Sequence, residues 1–544
     1  MQLPTLAKRV WLLLFFAIIV IYFYGLGAFP LLGPDEPRYA QVAREMFQRA
    51  DLITPTLGGH TWFEKPALLY WIMMAAFSLC GSSEAAARLG PALFGLLTVV
   101  AVYWVGRSVA RTSSDSELCG AGAWSALVTA SMMGIMVFSR AASFDIIVTM
   151  TITWALGFFF VHELEGDERR RQLLLVGFYI FVGLSLLAKG LVGIVIPFGV
   201  IAMYQLMRRA YLSRWFLRSL LWGVPLACAV AAIWYGPVVA RHGWPFINEF
   251  IVQHHFARYF SNKYRHPGPV YFYVLVLIPL TLPWTVLVVD ALSRISSWRW
   301  RGTDSLDRLR VFSLAWLLLP LAVFSFSGSK LAGYILPVLP ATGLLAGLRV
   351  ARLTSQGSGR SLALRATGAL LLLGAIFGAV VSIRAGYLSV GSTAIVVAPL
   401  MIAGFINFLF SQKPTLAVLA VVCALLFLPL LILNSDLLRL ASLESVRDLV
   451  AAADARGYGA APLYGLGEID RTAEFYAAGR VAYGADGEPV IFENAGQVTD
   501  EATRRGTILV LVPREYDQLL RLKTLGAEVI GDNGKFVLIA VRPG

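Results

Sequence analysis

The sequence predicts a polytopic α-helical membrane protein of about thirteen transmembrane helices followed by a small C-terminal α/β domain, and three observations carry this prediction. Of 544 residues, 58% are apolar and only 15% charged, with a mean hydropathy of +0.69. Soluble globular chains carry about 25% charged residues, so a soluble multidomain protein is excluded. Apolar runs of about 20 residues, enough to cross a bilayer, recur between clusters of Lys and Arg. After Ser435 the composition becomes mixed and polar, and no further run is long enough to span. The net charge of +13 is spread over loops instead of one soluble segment, which favours cytoplasmic loops over nucleic-acid binding. Cys80, Cys119, Cys228 and Cys423 lie in or beside apolar segments without a C-x-x-C pair, so neither a zinc site nor a disulfide framework is expected.

Lys8 and Arg9 precede an apolar run over residues 10–26 that lacks a small-residue cleavage site, and it reads as a retained first span. With these two cations cytoplasmic, residues 31–65 emerge on the opposite side. Residues 66–80 are apolar but only about 15 long, which suits a re-entrant or juxtamembrane helix. The next run ends at Arg107 and Arg111. Further cytoplasmic clusters follow at Arg169 to Arg171, Arg208 to Arg218, Arg294 to Arg310, Arg349 to Arg365, and Lys413. An odd number of spans leaves the C-terminal part outside. The expected organisation is a membrane domain over residues 1–435, with outer loops 31–85 and 238–269, and a periplasmic soluble domain over 436–544. In that domain, helical periodicity over 443–455, a β-rich run at 507–512, and Asp532-Asn533-Gly534 before 535–541 predict a small α/β unit ending in a hairpin. No strong internal repeat is visible, which argues against inverted-repeat transporter folds.

Ionisable groups at membrane depth are costly and tend to be functional, and nearly all the unusual ones share the outer face. Asp35, Glu36, Arg38 and Tyr39 follow the first span, and a helix is expected from Tyr39 to Arg49, so the two acids serve either as its caps or as chemistry. Glu64 and Lys65 stand before Pro66, where Lys65 either snorkels or is a fixed, half-buried ammonium. Arg140 and Asp145 lie between two spans, as a structural ion pair or as part of a site. Lys189 and Lys330 interrupt long apolar stretches at the outward ends of their spans. Residues 241–269 form a basic, aromatic outer loop with His254, His255, Arg258, Lys263 and Arg265. The adjacent His254 and His255 would point about 100° apart on a helix, so no metal pair is expected there. No cofactor is required by this reading, and a divalent metal has no support in the sequence. Carboxylates and several cations gathered at one face suit a polyanionic group at the lipid surface, such as a lipid-linked phosphate carrying a sugar. An anion transporter would need access from both faces, so an enzyme is favoured.

The chain resembles the polyprenyl-phosphate-sugar glycosyltransferases of the protein-mannosyltransferase-like superfamily, membrane enzymes of the GT-C fold, and most resembles the bacterial 4-amino-4-deoxy-L-arabinose lipid A transferases. The resemblance rests on Pro34-Asp35-Glu36-Pro37-Arg38-Tyr39-Ala40, Phe63-Glu64-Lys65-Pro66, Asp145, Ala188-Lys189-Gly190, His254 through Arg258, Thr281-Leu282-Pro283-Trp284, and Gly328 through Pro337. Pro37 stands where the family often has Thr, Leu187-Ala188 where it often has Met-Thr, and Gly328-Ser329 where it often has Lys-Gly. The resemblance implies transfer of aminoarabinose from undecaprenyl phosphate to a lipid A phosphate at the periplasmic face of the bacterial inner membrane, a lipopolysaccharide modification linked to polymyxin resistance. The partners it implies are the lipid-linked donor, lipid A and membrane lipids, with no nucleic acid. Lys65 and Arg258 would hold the donor phosphate, assisted by Lys330 or Arg265. Asp35 would orient the sugar or assist the acceptor, with Glu36 and Asp145 as second choices. Arg38, Tyr39, Glu64, Lys189 and Tyr334 would line the substrate cavity. The alternative acceptor is a protein hydroxyl, as in protein O-glycosylation.

Overall fold

The computed structural model describes residues 5–257, 268–357, 359–516, 522 and 527–543, with side chains from residue 9 onward except those of 255 and 256. The chain divides into two compact units, a membrane unit of residues 1–24, 64–69 and 91–432 and a second unit of residues 25–63, 70–90 and 433–544.

Among the described residues, nine helices are long and apolar enough to cross a membrane, or up to eleven if each of two bent helix pairs is one span. The chain is a multi-pass membrane protein. The bent pairs are Ala121–Ala130 with Met133–Ser139, and Phe272–Thr281 with Thr285–Leu292. The expected number of about thirteen is reached only if the shorter apolar stretches Arg9–Phe23 and Val192–Arg208 also cross. Leu68–Cys80 is a further short apolar helix, at the place where the sequence shows a run too short to span.

Helices α1 (Thr5–Phe23), α2 (Asp35–Gln48), α3 (Leu68–Cys80), α4 (Glu84–Thr112), α5 (Ala121–Ala130), α6 (Met133–Ser139), α7 (Phe144–Leu164), α8 (Glu168–Lys189), α9 (Val192–Arg208) and α10 (Arg214–His242) open the chain. Helices α7 and α8 form an antiparallel hairpin whose ends are set by side-chain caps. The Ser143 hydroxyl accepts from the Asp145 N–H at 3.1 Å, and the Asp167 carboxylate accepts from the Arg170 N–H at 2.8 Å. Because the connection between them is short, the first turn of α7 and the last turn of α8 share one end of the hairpin. Fully buried aromatic rings knit the middle of the membrane unit: Phe159 packs against Phe178, Phe216 and Phe312 with centroids 5.1 to 6.2 Å apart. Indole N–H groups find acceptors there, Trp284 on Ser131 Oγ at 3.0 Å and Trp316 on the Pro337 carbonyl at 2.8 Å.

The second unit is built on a five-stranded sheet in the order β4-β3-β5-β7-β6. Its strands are β3 (Leu463–Leu466), β4 (Ile491–Phe492), β5 (Ile508–Pro513), β6 (Glu528–Asp532) and β7 (Phe536–Val541), after a two-stranded ribbon of β1 (Thr56–Leu57) and β2 (His60–Thr61). β3 runs parallel to β4 and β5, whereas β5, β7 and β6 are antiparallel. Alternate residues of β5 enter two cores. Leu509 and Leu511 meet Leu449, Val450 and Ala453 of the Arg447–Ala455 helix, and Ile508, Val510 and Val512 meet Val498 and Ala502 of the Ala495–Arg505 helix. Both faces are covered, which is why β5 and β7 read as continuous apolar runs. The expected hairpin is β6–β7, turning at Asp532-Asn533-Gly534. The expected helix over 443–455 is two helices, Leu437–Leu443 and Arg447–Ala455.

This unit also contains the first loop. The helix expected from Tyr39 begins at Asp35, because Pro34 and Pro37 are tolerated ahead of and within its first turn, where no N–H partner is needed. Helix α2 meets the short Ala473–Tyr476 helix. The Arg44 guanidinium donates to the Phe475 carbonyl at 2.6 Å and lies 3.8 Å from the centroid of that residue's ring, and the Leu31 N–H donates to Tyr476 Oη at 2.7 Å.

Candidate active site

A cavity of about 610 Å³, mouth included, opens in the membrane unit among Glu64, Lys65, Lys189, His254, Ser327 and Tyr334, with Phe250 and Phe324 in its apolar wall. The α7–α8 hairpin supplies its centre. Asp145 lies in the first turn of α7 and Lys189 in the last turn of α8, each where the helix dipole favours its charge. The two side chains form an ion pair and are largely buried, with 18% and 14% of each exposed. Gly190 ends α8 at φ 71°, ψ −141°, a conformation essentially confined to glycine, and so lets α9 begin at Val192 on the cavity wall.

The second contributor is the turn after the Ser305–Ser325 helix. Lys330 is buried and donates from Nζ to the Ser327 carbonyl at 2.7 Å, and the Leu331 N–H donates to Tyr273 Oη at 3.2 Å. These bonds start the 3₁₀ segment Ala332–Val338, which places the Tyr334 ring 4.5 Å from Lys189 Nζ in a cation–π contact and 5.7 Å from the Phe324 ring. Gly333 lies so close to the Asp145 carboxylate that a Cβ there would overlap Oδ2. Lys65 completes the floor, its ammonium 2.8 Å from Glu64 Oε1 and its side chain 13% exposed. Phe250 and His254 come from a π-helical stretch, Ile247–Ala257, of the kind that often marks functional sites.

The cavity thus pairs each lysine with a carboxylate. A lysine ammonium has three donors, so a carboxylate that takes one fixes its direction. Among the described residues no three His, Cys, Asp or Glu side chains converge as a metal site would need.

Of the residues singled out in the sequence, Glu64, Lys65, Lys189 and Tyr334 line this cavity, Asp145 is paired at its edge, and Lys330 is tied to its wall through Ser327. Arg258 and Arg265 lie outside the described residues. Asp35, Glu36, Arg38 and Tyr39 belong to the second unit. There Glu36 is engaged on both carboxylate oxygens by Arg88, with Nε to Oε1 at 3.0 Å and Nη2 to Oε2 at 2.7 Å. Arg88 also donates to the carbonyls of Leu26, Phe29 and Pro30 at 2.7 to 2.9 Å, binding the start of the first loop to one buried guanidinium. Arg38 sits 5.1 Å from the Trp62 ring centroid and 3.6 Å from the Glu474 carboxylate, and Tyr39 is buried. Asp35 heads α2. Phe250, Phe324 and Ser327 escaped the sequence reading, since apolar residues and a serine in a long hydrophobic run carry no signal of their own. Arg88 and Glu474 escaped it too, and an arginine placed inside an apolar helix was the available clue for Arg88.

Residues 9–235 match the family model of the dolichyl-phosphate-mannose-protein mannosyltransferases. An undecaprenyl phosphate-α-4-amino-4-deoxy-L-arabinose arabinosyl transferase of Pseudomonas aeruginosa (strain UCBPP-PA14) is 32% identical over 374 residues, which cover 67% of this chain and 63% of that protein. A protein of the same name from Yersinia enterocolitica is 29% identical over 341 residues, 61% of this chain and 57% of its own. The match spans about three-fifths of the length of these curated relatives. The crystal structure of ArnT from Cupriavidus metallidurans bound to undecaprenyl phosphate superposes with a TM-score of 0.78 at 24% identity, over 97% of this chain and 98% of that one. Its apo form gives 0.77 at 22% identity. The chain has the fold of these structures over nearly its whole length, the GT-C architecture expected from the sequence.

Proposed function

We propose that this protein is an integral membrane glycosyltransferase that moves 4-amino-4-deoxy-L-arabinose from undecaprenyl phosphate to a phosphate of lipid A, with its active site and C-terminal domain on the periplasmic side of the bacterial inner membrane. The observation that carries the proposal is the cavity where the largely buried Lys65 and Lys189 are each oriented by a carboxylate beside an apolar wall. That combination suits a lipid phosphate with an attached sugar, and it accords with the names of the curated relatives and with the ligand in the solved ArnT complex.

In this reaction an oxygen of the acceptor phosphate attacks the anomeric carbon, and the bond from that carbon to the undecaprenyl phosphate oxygen breaks, the electron pair leaving with the phosphate. The acceptor is already anionic at neutral pH, so no strong general base is obligatory. The main barrier is charge developing on the departing phosphate. Lys65 meets that charge, with Arg258 as its partner and Lys330 or Arg265 assisting. One such fixed donor is worth about 3 kcal/mol, or about 100-fold in rate. Tyr334 and the Lys189–Asp145 pair shape the sugar pocket. Asp35 orients the sugar or its ammonium, while Glu36, held by Arg88, positions the loop that bears it.

A second reading, transfer to a protein hydroxyl, is favoured by the match to the protein mannosyltransferase model. Such an acceptor requires Asp35 as a general base and gives an acid limb in the pH–rate profile, whereas a phosphate acceptor gives a weaker dependence. The deciding experiment is mass spectrometry of lipid A from a sensitive host with and without this protein, beside Lys65→Ala and Asp35→Asn variants. One added aminopentose on a lipid A phosphate, lost in both variants at equal protein level, is the expected result. Unchanged lipid A would transfer the search to glycosylated proteins, and full activity of Lys65→Ala would remove that residue from the site.

A further inference from the structure

A second cavity lies at the other end of the membrane unit. Arg310 lines it and Phe324 lines the active-site cavity; both are on the Ser305–Ser325 helix, 14 residues and so about 21 Å apart. Arg294, Arg310, Arg349 and Arg352 line this cavity together with Gln356, and Trp298, Leu345 and Leu348 provide an apolar wall. An adjoining cavity shares Arg294, Arg349 and Gln356 and adds Arg360.

We propose that these joined cavities bind the phosphate of an anionic phospholipid headgroup, a site separate from the one that carries transfer.

Four arginines gathered in one cavity repel each other, and the structure shows how they are held. Asp290 takes an ion pair from Arg349 and a second from Arg294 at 3.4 Å, Asp115 takes Arg352 at 2.7 Å, and Asp307 stands 3.8 Å from Arg310. Three carboxylates therefore steady four guanidinium groups; none of the three lines the cavity walled by Trp298, and Asp290 lines the adjoining one. Arg352 Nε is buried and has no hydrogen-bond partner among the described residues, and Arg310 lies 6.0 Å from the Trp298 ring centroid. Each planar guanidinium retains donors after its carboxylate contact, which fits the several oxygens of a phosphodiester. The apolar wall decides between the two sources of such a group. A free phosphate gains nothing from Trp298, Leu345 and Leu348, whereas glycerol and the first acyl carbons of a lipid do. Basic pockets between transmembrane helices on the positively charged side are the expected place for anionic headgroups.

The test uses the purified full-length protein in detergent and native mass spectrometry, with phosphatidylglycerol, phosphatidylcholine of the same acyl chains, and inorganic phosphate as probes. Arg294 is more than half exposed and Arg360 is exposed, so Arg294→Gln and Arg360→Gln leave the core intact. Wild type is expected to retain phosphatidylglycerol over phosphatidylcholine, with each substitution weakening retention about fivefold. An Arg169→Gln control, at a different basic loop, is expected to bind as wild type does. Equal retention of the two lipids, or equal loss in Arg169→Gln and Arg294→Gln, would overturn the site. Displacement of phosphatidylglycerol by inorganic phosphate at equal concentration would overturn the lipid as its occupant.

Discussion

Asp145 approaches Lys189 across a position that has no side chain: any Cβ on residue 333 would strike the carboxylate. Gly333→Ala is therefore expected to push Asp145 off Lys189, lowering the melting temperature and the transfer rate together. The pair itself can be isolated by a double-mutant cycle. Lys189→Gln alone removes the cation from beside a largely buried carboxylate and Asp145→Asn alone removes the anion from beside a largely buried ammonium, whereas the double variant leaves neither charge. Thermal unfolding should show the double variant less destabilised than the sum of the singles, with a coupling of about 1–3 kcal/mol. Additive losses would mean that the pair is incidental to the stability of this end of the hairpin. Glu64, Lys65 and Lys189 were legible in the sequence for a simple reason: charges beside Gly or Pro interrupt runs that lipid would otherwise solvate, whereas Tyr334 was indicated only by the resemblance. Phe250 and Phe324 were not, because a phenylalanine facing a cavity and one facing lipid look alike in a hydrophobic run. For Glu36 the sequence leaves capping and chemistry open; the structure engages both of its oxygens with Arg88, a residue 52 positions away that no local pattern connects to it.

At the scale of elements, the site depends on how α8 stops. Lys189 is the last residue of that helix, and Gly190 turns the chain at a φ and ψ that a side chain resists. Gly190→Ala should cost about 1–3 kcal/mol and misplace Lys189, so that a lower melting temperature and impaired turnover appear together. A variant with unchanged stability and rate would show that the turn tolerates a Cβ and that the site does not rely on it. Element boundaries follow the same physics. The first-loop helix is expected from Tyr39, after Pro34 and Pro37, yet proline is compatible with a first turn and the helix begins at Asp35. The span count was harder to read. A run of positive charges tells which loops face inward, but whether the bent pairs and the short helices cross is decided by tilt and packing, which composition does not encode.

At the scale of the molecule, one carboxyl in each unit responds to acid with opposite sign. In the membrane unit, burial pushes the Asp304 carboxyl up, but bonds from the Ser114 and Leu306 N–H groups and from the Ser113 and Ser114 hydroxyls outweigh it and hold the group below its usual 3.8. A carboxyl lowered by folding contributes stability that is present above its ordinary value and is lost as pH falls through the lowered one. The second unit contains the reverse case. Glu474 is 2% exposed, and burial raises its carboxyl above the usual 4.5 despite Arg38 at 3.6 Å and Arg471 at 2.8 Å. A raised carboxyl stabilises the fold in full below its ordinary value, and that contribution disappears as pH rises through the raised one. Glutamine at position 474 keeps the shape of the protonated acid and does not titrate. The melting temperature of Glu474→Gln relative to wild type should therefore be lowest in acid, near or below pH 4.5, and climb towards neutrality. Asp304→Asn should do the opposite in sense, losing most against wild type at neutral pH and approaching it in acid. Differential scanning calorimetry of the full-length protein and both variants from acid to neutral pH reads the two slopes directly. A Glu474→Gln difference that stays flat, or falls as pH rises, would show that Arg38 and Arg471 stabilise the charged form enough to offset its burial.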